Sequence, residues 1–184
     1  MNIYFNQLLF SLVLLLTVLP AVSQKKLKLE NCEVSFFSEA PLENIEAYNK
    51  ESMGIIDWEA NTFLFRVPIK GFVFDKSLMQ SHFNENYMES DEFPNASFKG
   101  TIEGNYNLKT NGTYNVTAVG ELEIHGVKQQ RRIEATIAVK NQQISISSKF
   151  NVKLEDHGIE IPTIVFNKIA EVVEVTITSE TGVK

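Results

Sequence analysis

Cysteine, histidine and tryptophan are scarce in this chain: one, three and one in 184 residues. The single Cys32 excludes any intrachain disulfide, so an apolar core must hold the fold together, and a chain of this length can build one. No His or basic residue lies near Cys32 in sequence to activate it, so it reads as a small apolar residue on a strand. A surplus of positive charge is also missing. Lys and Arg number 17 against 23 Asp and Glu, a formal charge of -6, which leaves no electrostatic footprint for nucleic acid. The basic groups Lys25, Lys26 and Lys28, and Lys128, Arg131 and Arg132, read as solvated termini and strand faces.

Recognisable catalytic spacing is absent too. His82, His125 and His157 belong to no HExxH pattern, no Ser sits in a nucleophile elbow, and no Gly-rich phosphate loop occurs. His82 and Glu85 lie three apart on a helix-like stretch and could share a metal, but no third ligand is visible. His125 reads as a turn residue in His125-Gly126-Val127. Asp156 and His157 are candidates for an acid–base pair in a loop. Glu89, Asp91 and Glu92 read as solvated loop acids, and the carboxylates leave a glycosidase pair open. Nothing calls for a cofactor or a metal. Three sequons, at Asn95, Asn111 and Asn115, have a meaning only in a eukaryotic secretory path.

One long apolar run is present, from Leu8 to Leu19, ended by Pro20 and followed by the small-x-small pattern Ala21-Val22-Ser23. It reads as a secretory signal peptide over residues 1–23, cut after Ser23, which places the mature protein (24–184, one domain) in the periplasm or outside the cell. The competing reading is a retained membrane anchor, for which the run is short against the roughly 20 residues a span needs. Cys32 stands too far from the run to be a lipoprotein cysteine.

The rest of the chain alternates, as half-buried strands do. Phe63, Phe65, Val67 and Ile69 keep period two, and the pattern shifts register at Lys70-Gly71 before Phe72 and Phe74, as at a bulge. Ala96 to Gly104, Tyr114 to Ile124, Ile133 to Val139, Ile144 to Leu154 and Val173 to Ile177 alternate likewise. Asn111-Gly112, His125-Gly126 and Asn141–Gln143 read as turns. Weaker strands are expected over 32–38 and 42–49. The total is about eight antiparallel strands, the last four long, which favours closure into a barrel. Gly100, Gly104 and Gly120 fall on the apolar face, where a tightly curved sheet often needs no side chain. Only Ser77 to Met88 departs from alternation. Met79, Phe83 and Tyr87 recur every fourth residue, the face of a helix, with Ser77 and Gln80 at capping-box spacing. A shorter helical turn is expected at Thr163–Lys168.

The aromatic load of these elements is high. An eight-stranded barrel either fills its interior or holds one small ligand, and the residues alone leave both open. Three motifs bear on the choice. The run from Tyr87-Met88-Glu89-Ser90 through Asp91-Glu92-Phe93-Pro94 to Gly100 resembles the helix-to-strand signature of the YceI-like lipid- or polyisoprenoid-binding family. Gly120-Glu121-Leu122-Glu123-Ile124-His125-Gly126-Val127 resembles its G-x-L-x-I-x-G-V turn, and Asp156-His157-Gly158-Ile159 its late loop. The resemblance covers most of residues 33–180. It implies an all-β, lipocalin-like antiparallel barrel with a helix at one end and a cavity for a long-chain lipid or isoprenoid. Many members carry an Arg before the late loop. Here the nearest bases are Lys149 and Lys153, so no head-group contact is carried over.

The expected lining is Phe72, Phe74, Phe83, Phe98, Ile102, Val116, Leu122, Phe150, Ile164 and Phe166. The expected function is a binding protein, not an enzyme, for a polyisoprenoid, an isoprenoid quinone or a fatty-acid derivative. Transient contact with a membrane surface and a homodimer stay open as further partners. Two rivals stand beside it: an enzyme acting on a lipid or sugar in the same cavity, and a filled barrel that serves as a protein-interaction module.

Overall fold

The computed structural model describes residues 26–161 and 169–182. The expected signal segment and the expected helical turn at Thr163–Lys168 lie outside them. The described chain is nearly all strand: β1 (Lys26–Ser38), β2 (Ile45–Asp57), β3 (Thr62–Pro68), β4 (Phe72–Phe74), β5 (Asn95–Glu103), β6 (Gly112–Ile124), β7 (Val127–Lys140), β8 (Gln143–Lys153) and β9 (Val172–Gly182). Every pairing is antiparallel, and β9 returns to pair with β1 through Glu33↔Thr178 to Phe37↔Glu174. β3 and β4 both pair with β2, at Met53–Asp57 and Ala47–Asn49 respectively. They are two halves of one interrupted strand, so the sheet is a closed eight-stranded barrel in which, among the described residues, only the short β4 has a strand on one side alone.

The interruption falls at Ile69–Gly71, where a single 3₁₀ turn carries the register shift. Asn49, 0 % exposed, pins it. Its Nδ2 donates to the Pro68 carbonyl (2.6 Å), while its Oδ1 accepts from the Glu51 amide (2.8 Å) and the Ser52 hydroxyl (3.1 Å). A buried amide with its groups partnered fixes the bend without an exposed loop.

β1 and β2 are longer than the 32–38 and 42–49 expected. The reason is local. In β1 the alternation is broken by Asn31, which takes a left-handed conformation (φ 46°), with register shifts on both sides of Cys32. The hydroxyls of Ser179 and Thr181 donate to the Glu30 and Lys28 carbonyls there (2.8 and 3.0 Å). In β2 the inner positions before Ile56 are Ala47, Asn49, Ser52 and Gly54, too small or too polar to register as an apolar face.

The turns at His125-Gly126 (φ 51° and 71°) and Asn141-Gln142 (φ 50° and 65°) close two-residue hairpins, Ile124↔Val127 and Lys140↔Gln143. Asn111-Gly112 is not such a turn. Gly112 already pairs with Val139 in β6, and the connection runs through Gly104–Asn111, where Gly104 has φ 124°. Gly100 and Gly120 face each other across β5 and β6. A Cβ on Gly100 would sit 2.0 Å from the Val119 carbonyl oxygen, and one on Gly120 2.0 Å from that of Lys99, so only glycine permits this approach.

The helix α1 (Ser77–His82) continues as a wider π turn over Phe83–Tyr87. The expected capping box does not form. Lys76 is the N-cap and makes no side-chain cap, and Gln80 instead turns its Oε1 to the Phe74 amide (3.4 Å), tying the helix to β4.

Candidate functional site

The barrel has two unlike ends. The β2–β3, β5–β6 and β7–β8 connections share one end, with the start of β1. Its interior is filled by Leu27, Leu29, Ile56, Ile137, Val139 and Ile144, with Leu108 from the long loop above them. The other end carries the β1–β2 loop, the β3–β4 break, α1, the His125-Gly126 turn and the β8–β9 connection. Here the interior is hollow. A cavity of about 480 Å³ lies within this half, walled almost wholly by carbon.

Four phenyl rings form one wall. Phe83, from the π turn, stacks on Phe36 (centroids 5.6 Å apart) and meets Phe72 and Phe74 at 5.5 and 5.0 Å. These contacts hold the helical segment against β1 and β4 through aromatic packing. Met79, Phe83 and Tyr87 all line the cavity, so the four-residue recurrence in the sequence marks the helical face that covers it. From Phe36 the lining continues onto the neighbouring strands, with Val173, Val175 and Ile177 of β9 and then Phe150 and Val152 of β8. The rim is the polar part. Lys76 and Glu43 form an ion pair across it, beside His82 and the exposed Leu78.

Of the residues expected to line a cavity, Phe72, Phe74, Phe83, Phe98, Leu122 and Phe150 are brought together around this one. Ile102 and Val116 are not. They are buried in the filled half, because their positions on β5 and β6 lie beyond the Gly100–Gly120 approach, on the side of the long loop. Ile164 and Phe166 lie outside the described residues. Sequence reasoning missed Phe36, Phe65, Val67 and the β9 wall. Phe65 and Val67 shared the alternating face with Phe72 and Phe74 and could have been taken with them. Phe36 stands next to Phe37 in a run whose alternation is blurred, and only the pairing Phe36↔Ala47 turns it inward.

The titratable candidates are scattered. His82 is at the cavity rim. Asp91 pairs with Lys70 on the surface, and that ammonium holds its carboxyl below the usual range. Asp156 and His157 are not hydrogen-bonded to each other. The Asp156 carbonyl accepts from Gln129, whereas His157 is 0 % exposed, with Nδ1 donating to the Val127 carbonyl (3.3 Å) and Nε2 buried without a partner. Burial pushes the His157 imidazole below its ordinary pKa. His125 meets Glu89 through Nε2 (2.9 Å) and the His157 carbonyl through Nδ1 (3.3 Å), with its ring against Phe93 (4.5 Å). Glu89 and His125 both have positive φ, 43° and 51°. This cluster ties the π turn to the β6–β7 hairpin and the late loop, the three segments that frame the hollow end. Cys32 is buried in the core, which raises its thiol pKa. The Lys128 and Arg132 side chains are engaged by Glu121 (3.2 Å) and Glu103 (2.7 Å), and Arg131 donates to the Asn151 carbonyl (2.7 Å). Among the described residues no three His, Cys, Asp or Glu are grouped to share a metal ion.

The family model for the YceI-like domain matches residues 29–181. The chain belongs to the YceI-like family. Solved structures of similar fold include a polyisoprenoid binding domain from Saccharophagus degradans (TM-score 0.71, 13 % identity, covering 85 % of this chain and 96 % of that one). BcnA of Burkholderia cenocepacia is similar at TM-score 0.68 and 16 % identity, covering 82 % and 96 %. The YCEI protein of Campylobacter jejuni follows at TM-score 0.62 and 16 % identity, covering 79 % and 89 %. No curated protein matched the chain. In this YceI-like barrel the three family-like motifs meet in space. The Tyr87–Gly100 stretch, the His125-Gly126 turn and the late loop all lie at the hollow end, and Met88, Ile124 and Ile159 from them line the cavity.

Proposed function

We propose that this YceI-like protein is a periplasmic or secreted binding protein that holds a long apolar chain: a polyisoprenoid, an isoprenoid quinone or a fatty-acid derivative. The observation that carries the reading is the apolar cavity of about 480 Å³ at the helix-covered end of the barrel. Walls of this kind suit a hydrocarbon, because each buried methylene contributes about 0.8 kcal/mol, so about ten give near 8 kcal/mol before the costs of association. Few polar contacts are then required, in keeping with a rim where Lys76 and Glu43 satisfy each other. The Saccharophagus degradans neighbour, described as a polyisoprenoid binding domain, supports the same ligand class.

The reading includes export by residues 1–23 with cleavage after Ser23, leaving 24–184 as the binding domain. It assigns no catalytic residue, since Asp91, Asp156 and His157 do not converge on the cavity and His82 stands alone at its rim.

The test is solvent extraction of the purified protein, mass spectrometry of the extract, and titration of the stripped protein with the fluorescent apolar probe N-phenyl-1-naphthylamine. A single-chain lipid in the extract, and a probe signal that the lipid displaces, are expected. Stripped protein that binds neither probe nor lipid overturns the reading. N-terminal sequencing of exported protein tests the cleavage: a start at Gln24 is expected, and a retained leader refutes it.

A further inference from the structure

The cavity is blind. It stops part-way down the barrel, and the place where it stops is built from identifiable residues. Its wall runs from Leu154, just past the end of β8, down to Phe150, and on β9 from Val173 to Ile177. Each is four residue steps, or ~13 Å at ~3.3 Å per residue. Along β3 it runs from Ile69, at the 3₁₀ turn, down through Val67 to Phe65. On β5 and β6 the deepest lining residues are Phe98 and Leu122, which pair across the strands. The next inward positions are Gly100 and Gly120, and the residue opposite Gly100 on β3 is Phe63. Its ring packs edge-on against Phe98 with centroids 4.8 Å apart, yet Phe63 does not line the cavity. Phe63 therefore lies behind the deepest wall, and beyond it come the buried Ile102, Val116 and Ile137.

We infer that Phe63, seated opposite the Gly100–Gly120 approach and backing Phe98, is the floor that sets how much hydrocarbon the protein encloses. The inference rests on the proposed lipid-binding function and narrows its ligand. An extended chain advances ~1.2 Å per bond, so about ten carbons reach from rim to floor. The cavity volume leaves room for methyl branches or one back-fold, so enclosure is complete somewhere between about ten and about twenty carbons. Carbons past that number stay at the rim, near Lys76, Glu43 and His82. The ligand is thus a single-chain amphiphile held by its tail end, with whatever lies beyond the enclosed carbons left outside.

The experiment is displacement of N-phenyl-1-naphthylamine from the stripped full-length mature protein by linear alcohols of about six to about 24 carbons. Affinity is expected to rise about four-fold per methylene and then level off between about ten and about twenty carbons. In Phe63→Ala the levelling point is expected to move to longer chains by about two to four carbons, because the removed ring leaves space below Phe98. Phe63→Leu, a milder change that keeps the core filled, is expected to move it in the same direction by less. A rise that continues unbroken to the longest alcohol, or a levelling point that stays put in both variants, overturns the floor while leaving the lipid-binding function standing. Failure of every alcohol to displace the probe refutes that function, and the floor with it.

Discussion

The filled and hollow halves of this barrel are made by the same strands with the same alternation, yet one is a core and the other a cavity. In the filled half the inner positions of β7 and β8 are β-branched Ile133, Ile137, Val139 and Ile144, which meet Leu27, Leu29 and Ile56 from the other side. In the hollow half much of the bulk is aromatic, and four of the rings are gathered on one side. Phe36, Phe72, Phe74 and Phe83 pack on one another and leave the rest of the interior at this end open. The comparison teaches that apolar volume alone does not fill a barrel. Rings that satisfy each other along one side, under a helix that bridges the end, enclose a void instead.

The strongest way to break the distinction is at its boundary. Gly100→Ala places a Cβ against the Val119 carbonyl and is expected to cost about 3 kcal/mol or to prevent folding. Urea unfolding followed by circular dichroism reads this, and a near-neutral result means that β5 and β6 do not approach so closely. Next comes a paired truncation. Ile137→Ala in the filled half is expected to cost about 3 kcal/mol, since it opens a new hole in close packing. Phe83→Ala loses the ring contacts with Phe36, Phe72 and Phe74 but borders an existing void, so it is expected to cost about half as much for a larger side chain, and to change probe affinity as well. Equal losses at both positions mean that the hollow half is packed after all.

A smaller effect is expected with pH. His157 is held neutral by burial, with its pKa below the ordinary 6.5. The unfolded chain therefore takes up the proton first as pH falls. The stability associated with the neutral ring is present above about pH 6.5 and is lost on acidification toward the lowered folded value. The unfolding midpoint is expected to drop between neutral and mildly acidic pH, and less so in His157→Gln. Parallel curves for the two proteins refute an imidazole held neutral by burial. Smallest of all is Asp91→Asn, which breaks a surface pair with Lys70 and is expected to leave the melting temperature unchanged within error.

Much of this was legible in the chain. The period-two runs from Phe63 to Leu154 gave their strands because each has one face in the barrel. His125-Gly126 gave its turn because both residues accept positive φ. The interruption after Ile69 was visible as a change of register. β1 and β2 were blurred because Asn31 bulges one of them and small or polar inner residues mask the other. Asn111-Gly112 misled because a turn-prone dipeptide need not turn when a longer loop precedes it. For the site, Phe72, Phe74, Phe83, Phe98, Leu122 and Phe150 could be placed on inner faces from alternation and the helical period. Ile102 and Val116 had the same credentials but the wrong depth, and depth along a barrel depends on register between strands far apart in sequence.

By itself, then, the sequence determined local geometry: which side chains share a face, where the chain makes its tight hairpins, and that the Ser77–Met88 stretch is helical. These follow from the period of two, the period near four and the backbone freedom of particular turn residues, all set within a few neighbours. Closure of β9 on β1, the blind depth of the cavity and the choice of which apolar residues line it were decided by tertiary structure. Each depends on pairings between distant strands and on how rings of fixed size share a limited interior, and no short stretch of chain contains that information.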